Sequence, residues 1–326
     1  MMTQCMEFNL ISDTDGLLDL QPTAPREFSD LLVADSKVNY AEGNYGRLMF
    51  QEIETGPFSI HYNIYHIQTR FLLHFKRDAP LLSIHIALKN DMHYHLSNIG
   101  DVHLKEGQFN IAYLPGVEGT AHFEQPGEYR VFKVYFPVET LEQYVTTFPY
   151  LNEFLQYVTG PDPAFLLKEH GWISSKISYI IKELLECTYQ EPVRRLYYDN
   201  LIKELFLLLL LQKQRNGNDY TTYMQNLYEA RSIIQKNISQ HFTIGEVAQQ
   251  VGLNEAKLKS GFKQVFGTGI FQFMLQVKMY KAWVMVLETD KPVKEIASET
   301  GYTSKQNFLT AFKKHFNATP GSLRKK

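Results

Sequence analysis

Two sets of side chains near the C-terminus carry the chain's most specific chemistry. In the run from Ile296 to Phe316, the residues Ser304, Lys305, Gln306, Asn307, Thr310, Lys313 and Lys314 offer hydroxyl, amide and ammonium groups at helical spacing. They alternate with Phe308, Ala311, Phe312 and Phe316, which recur at intervals of three and four and so form one apolar face. Upstream, Ala256, Lys259, Ser260 and Lys263 fall at i, i+3, i+4 and i+7, with Lys257 beside them and Leu258, Phe262 and Val265 turned the other way. Amides and ammonium groups can donate to base edges in a DNA major groove, and ammonium groups also pair with phosphates. For each helix taken alone, a small helical core with a solvated lysine face explains the pattern as well.

The segments that must position these groups favour the DNA reading. Gly301 suits the left-handed turn after Ile296–Thr300, and Ser304 is placed to cap the helix that follows. Thr243 and Glu246 have capping-box spacing, Ile244, Val247, Ala248 and Val251 form a buried face, and Gly252-Leu253-Asn254 makes a second turn of the same kind. The two units form an internal repeat: Ala248, Gly252, Asn254, Leu258, Phe262 and Lys263 answer to Ala297, Gly301, Ser304, Phe308, Phe312 and Lys313. Between them, Phe271 to Glu288 contains no Gly or Pro. At 1.5 Å per residue it spans roughly 27 Å, close to the approximately 34 Å between successive major-groove segments on one DNA face.

Charge sharpens the contrast between the two parts of the chain. Residues 221–326 hold 15 Lys and Arg against 7 Asp and Glu, while the remainder holds 18 against 28, although the whole chain carries a formal charge of only −2. A basic excess confined to one domain is the footprint of a polyanion partner.

With 326 residues, 44% hydrophobic and 21% charged, the chain has the size and composition of two globular domains. The first fifteen residues carry Glu7, Asp13 and Asp15 and no basic residue, unlike a secretory leader. The longest apolar run, Leu205 to Leu211, falls well short of the roughly 20 residues needed to span a bilayer. A soluble, cytoplasmic protein with no membrane partner is expected. Two cysteines, Cys5 and Cys187, give no ligand cluster and read as reduced thiols.

The predicted fold class is α+β, in five parts. Residues 1–40, broken by Pro22 and Pro25, read as an irregular N-terminal arm. From 41 to 137 the period is two, as in Phe58–Ile64, Phe71–Phe75 and Ile84–Leu88, with Gly and Pro punctuation, which predicts an antiparallel barrel or sandwich, a barrel of about eight strands being wide enough to hold one ligand. Residues 138–215 turn helical, with long segments near 164–190 and 192–215. Leu201, Leu205, Leu208 and Leu209 crowd the second of these and suggest a homodimer seam, the competing reading being a helix buried within its own chain. The polar tract around 216–222 reads as a linker, and 223–326 as an all-α domain with two helix-turn-helix units.

No nucleophile elbow, phosphate-binding glycine loop or catalytic cysteine arrangement is present, so enzymatic activity is not expected. His93 and His95 share a strand face, yet the spacing of nearby acids does not match a barrel metal site, and no metal or other cofactor is predicted. The β region is better suited to a small-molecule pocket, with Tyr62, Phe71, Tyr94, Tyr113 and Phe123 as candidate lining residues.

These residues together resemble the AraC family of bacterial transcription regulators. The resemblance covers roughly 225–326 and rests on Ile296, Ala297, Gly301, Tyr302, Ser304, Phe308, Phe312, Lys313, Lys314, Phe316, Thr319, Pro320, Leu323 and Arg324, with Lys278, Met279, Ala282 and Leu287 in the connecting helix. Asn317 stands where the family usually has glycine, and Lys278 where it usually has arginine. The run Gly252–Thr268 is similar, more narrowly, to the siderophore-responsive branch typified by PchR and YbtA, and Glu106–Gly116 is similar to that branch as well. The resemblance implies a cupin-like ligand barrel and a pair of helix-turn-helix units. Its expected partners are double-stranded DNA, a small-molecule effector such as an iron–siderophore, a second copy of the chain, and RNA polymerase if the protein activates. Two alternatives remain: a cupin-type metalloenzyme fused to a DNA-binding module, and a DNA-binding protein whose barrel only dimerises.

Overall fold

The computed structural model describes residues 9–14, 16–215, 218–238 and 243–324. The chain divides into two compact units, 1–216 and 217–326.

Twelve strands build the first unit: β1 (Asn9–Ser12), β2 (Gly16–Leu17), β3 (Lys37–Gly43), β4 (Gly46–Thr55), β5 (Phe58–Ile67), β6 (Phe71–Arg77), β7 (Leu81–Lys89), β8 (Met92–Leu96), β9 (Gly100–Leu104), β10 (Gln108–Leu114), β11 (Val117–Phe123) and β12 (Gly127–Tyr135). Two short strands, β13 (Ala164–Phe165) and β14 (Gly171–Trp172), add to the edge at β10. One sheet runs β2-β1-β6-β11-β8-β9, and the other runs β13-β10-β7-β12-β5-β4-β3 with β14 also on β10. All recorded pairings are antiparallel. Neither sheet closes on itself, so of the barrel and sandwich readings the region takes the second, two open sheets face to face.

The larger sheet is buried on both faces. On β5, Ile60, Tyr62 and Ile64 join the core that continues into the helices α1 (Glu139–Glu142), α2 (Leu151–Leu155), α3 (Ser175–Leu185) and α4 (Val193–Arg215). Alternate positions point between the sheets, where Tyr65, Ile67, Ala87 and Val131 meet Phe71, Leu73, Ala121 and Phe123. Burying both faces is the reason these strands read as dense apolar runs rather than as a clean alternation.

Three boundaries differ from the sequence reading. The stretch before residue 41 is not an irregular arm: β1 pairs with β6, β3 forms a seven-residue strand on β4, and Gln21 bridges Tyr40. Residues 164–174 form the short edge strands, and helix α3 begins only at Ser175 behind its Ser174 cap. Of the expected linker, 216–217 lie outside the described residues, and Asn218 already starts α5 (Asn218–Lys236).

In helix α4 the four leucines expected at a dimer seam are divided between the chain's own core and its surface. Leu205 and Leu209 are fully enclosed by their own chain, together with Tyr198, Ile202, Phe206 and Leu210, and Leu201 and Leu208 are partly buried against the same core. The large apolar side chains that this helix leaves outward among the described residues are Val193, Leu196 and Leu207, 54%, 66% and 41% exposed.

The second unit is all helical: α5, then α6 (Ile244–Gln250), α7 (Glu255–Phe266), α8 (Ile270–Glu288), α9 (Val293–Glu299), α10 (Lys305–Phe316) and α11 (Pro320–Leu323). Met279, Ala282 and Val286 of α8 pack with Ile296 and Ala297 of α9 and Phe308 and Phe312 of α10 in one cluster. Trp283 joins its edge, its ring centroid 4.5 Å from that of Phe316. Among the described residues, no helix is long and apolar enough to cross a membrane.

Candidate functional site

Helices α6–α7 and α9–α10 are two pairs with one local design. Gly252 (φ +66°) and Gly301 (φ +74°) make the turns in the left-handed region. Leu253 and Tyr302 each donate a backbone N–H back across the turn, to Ala248 O and Ala297 O, both at 2.8 Å. Asn254 Oδ1 accepts from Lys257 N at 2.8 Å and Ser304 Oγ from Asn307 N at 3.4 Å, so each second helix is capped by its own side chain. Thr243 and Glu246 complete the expected capping box on α6. Asn317 takes the left-handed position (φ +51°) that closes α10, as Gly267 (φ +71°) closes α7.

This shared frame brings the sequence-predicted residues onto open surface. Ala256, Lys257, Lys259, Ser260 and Lys263 on α7, and Lys305, Gln306, Asn307, Thr310, Lys313 and Lys314 on α10, are all exposed, while the cap Ser304 is half-buried. Leu258 and Phe262, and Phe308 and Phe312, are fully buried behind them. Lys259 is held by Glu255 at 2.7 Å, and the Thr310 hydroxyl donates to Gln306 O at 3.0 Å. Helix α8 links the pairs with 19 residues, about 28 Å of helix. Arg324 ties the last turn back, donating from Nε to Val286 O at 3.3 Å and from Nη2 to Thr289 O at 3.2 Å.

Between the two sheets of the first unit lies a cavity of about 460 Å³. Of the five aromatic residues expected to line it, only Tyr94 does. Tyr62 and Tyr113 point to the helix-covered face, where Tyr62 accepts from Arg130 at 3.3 Å and Tyr113 donates to Gly160 O at 3.1 Å. Phe71 and Phe123 are stacked in the packed core with ring centroids 5.8 Å apart. A period of two identifies opposite faces without saying which face holds the hollow.

The residues the sequence reading missed are polar. Strand register places Lys37, Glu52, His61, Lys133, His85 and Asn110 side by side on six successive strands, and all six line the cavity. Ser59 Oγ lies 3.2 Å from Glu52 Oε1 and 3.0 Å from His61 Nε2; Tyr94 Oη lies 3.0 Å from His85 Nε2; Asn110 Nδ2 lies 3.0 Å from His170 Nδ1. Burial pushes His61 down to about 3, reinforced by the charges of Lys133 and Arg77. It holds His85 well below the ordinary histidine range, with Lys133 and His170 adding to the effect. Lys133 is lowered to about 8 by burial, which leaves it cationic at neutral pH, and it has no hydrogen bond or ion pair among the described residues. Facing this row from the other sheet are Leu73, Phe75, Leu96, Val102 and Leu104.

On the exposed side of the smaller sheet, Asp91, His93 and His103 bring potential ligand atoms within 4.8 Å of one another. His93 pairs across the strand with His103, their rings stacked at 3.9 Å, while His95 contacts Asp101 at 2.8 Å. His93 and His95 thus take separate partners. The first set has the donors for a surface-bound divalent transition metal.

The capped, glycine-turned pairs with buried aromatic seams define a helix-turn-helix domain, and residues 247–326 match the helix-turn-helix domain family. Relatives of the chain include the HTH-type transcriptional regulator YtdP of Bacillus subtilis, 32% identical over 128 residues, which are 39% of this chain and 16% of that protein. The HTH-type transcriptional activator CfaD of Escherichia coli is 27% identical over 92 residues, 28% of this chain and 34% of that one. Among solved structures, the C-terminal domain of AraT, a response regulator from Geobacillus stearothermophilus, is 33% identical over 31% of this chain and 84% of that chain, with a TM-score of 0.30. The match thus covers only 16% to 34% of the length of these two curated relatives.

Proposed function

We propose that this protein is a DNA-binding transcription regulator whose β domain takes a small-molecule effector. The observation that carries the DNA reading is the shared frame of α7 and α10: two helices, each capped and turned alike, each presenting a polar stripe to solvent over a buried aromatic seam. The lysines supply phosphate contacts, and Gln306, Asn307 and Thr310 can read base edges. Within the α7 stripe of Ala256, Lys257, Lys259, Ser260 and Lys263, only Ser260 and the lysines can hydrogen-bond and Ala256 can touch only a thymine methyl, so the second pair carries more of the sequence reading. A gel shift on the gene's own upstream region tests this, and no retarded complex at low salt would end the DNA reading.

Effector control is supported by the cavity between the sheets with its few placed polar groups, a usual form for a small-molecule site. An effector acts only by binding one arrangement of the protein better than another. The narrower reading, a ferric siderophore, rests on the resemblance of Gly252–Thr268 and Glu106–Gly116; gel shifts with and without ferric chelates test it. We read the protein as a cytoplasmic homodimer without enzymatic activity that contacts RNA polymerase where it activates. A metalloenzyme reading would be favoured by turnover that a chelator abolishes.

A further inference from the structure

The cavity is asymmetric in a way that selects among ligands. Its polar row lies on the larger sheet and its apolar wall on the smaller one, so an occupant meets hydrogen-bonding groups on one side and hydrocarbon on the other. Within the row the side chains are already engaged: Glu52 with Ser59 and His61, His85 with Tyr94, Asn110 with His170. Lys133, in the middle, is the exception. Lys133 is half-buried and lines the cavity without an ion-pair partner among the described residues, so a ligand that brings a negative charge gains a charge-assisted hydrogen bond there.

We infer that the cavity accepts a compact organic anion, its acidic group on Lys133 and its apolar body against Leu73, Phe75 and Leu96. This rests on the effector reading above and narrows it to a ligand class. Neutral polar ligands would leave the ammonium unpaired, and cations would be repelled by it. The anion is small: at about 30 Å³ per water, the space equals roughly fifteen waters. Around Lys133 the titratable and charged neighbours are His61 and Tyr65 on β5, His85 on β7, Glu52 on β4, Lys37 on β3, Tyr94 on β8, Tyr135 on β12, His170 before β14, and Arg77 on β6, whose charge reaches His61.

Two fluorescent probes of nearly the same skeleton test this on the full chain: anilinonaphthalene sulfonate, an anion, and phenylnaphthylamine, its uncharged counterpart. The sulfonate should bind to one site per chain and more tightly. Lys133→Met should weaken it by roughly tenfold or more, as expected for losing a hydrogen bond to a charged group, and should leave the neutral probe unchanged. Lys133→Arg, which keeps the charge, should retain sulfonate binding. In the unaltered protein, sulfonate affinity should fall as pH rises through about 8, where Lys133 loses its proton. If both probes bind alike and Lys133→Met changes neither, the anion inference is wrong while the cavity reading stands. Failure of both probes to bind overturns the two together.

Discussion

A Cβ added to Gly261 on α7 would lie 2.0 Å from the Tyr223 hydroxyl oxygen and 2.9 Å from Leu227 Cδ1. Helix α7 therefore meets α5 at a point where only a bare Cα fits, and Tyr223 uses the gap to donate to Lys257 O at 3.0 Å. In an open helix Gly→Ala stabilises by roughly 0.5–1 kcal/mol. Here Gly261→Ala should instead destabilise the C-terminal unit by about 1–3 kcal/mol through overpacking. Urea unfolding of the full chain measures this, and Tyr223→Ala in the same background should recover part of the loss. An unchanged midpoint for Gly261→Ala would show that the two helices part easily.

Contacts with DNA should separate by residue type. Lys263→Ala, Lys305→Ala and Lys313→Ala should each weaken binding to all sequences and reduce the salt slope by about one unit per lost phosphate contact. Lys259→Ala should do less, because its ammonium is already paired with Glu255. Gln306→Ala should alter sequence preference more than salt dependence. Salt titrations with the operator and with a scrambled duplex distinguish these, and uniform effects across all five variants would contradict the assigned roles.

Self-association, if it uses α4, must use the outward side of that helix. Leu207→Glu or Leu196→Glu should shift the protein from dimer to monomer in sedimentation velocity while leaving the far-ultraviolet spectrum intact. Leu205→Ala should cost about 2–5 kcal/mol of stability, as for any large-to-small change in a packed core. A dimer that survives both glutamate variants would place the interface elsewhere.

Acid should destabilise the β domain before its carboxylates titrate. Unfolded, a histidine titrates near 6.5, whereas folding holds His61 at about 3 and His85 well below its ordinary value. The unfolded chain then binds more protons than the folded one, so the stability from neutral, buried histidines is complete above about 6.5 and is lost as pH falls toward 3. The slope is at most about 1.4 kcal/mol per pH unit for each histidine. Lys133 contributes with the same sign in a higher window, from 10.5 down to about 8. His61→Gln should flatten the acid limb of a urea-midpoint profile, and a profile as steep as that of the unaltered chain would refute this origin.

The helical third was legible because its signals are local. Thr243 with Glu246, Gly252, Gly301 and the phenylalanines on α10 each act within a turn or two of helix, where spacing alone fixes geometry. The β domain was legible only as strands. Whether Tyr62 or His61 faces the cavity depends on which side of β5 the second sheet covers, a long-range fact that alternation cannot hold. Lys133 illustrates the limit: in sequence it is one polar residue in β12 (Gly127–Tyr135), and its neighbours His61 and His85 come from strands tens of residues away. Strand β3 was hidden similarly, since Pro22 and Pro25 upstream suggested an irregular arm where a paired edge follows.

The polar row across the cavity has one further consequence. Each of its six members belongs to a different strand, and none sits in a loop, so each can be exchanged without altering the backbone path of another. Ligand preference in such a pocket can drift by single substitutions while the sheet keeps its shape, so a cavity of this build can come to hold a different molecule without new architecture.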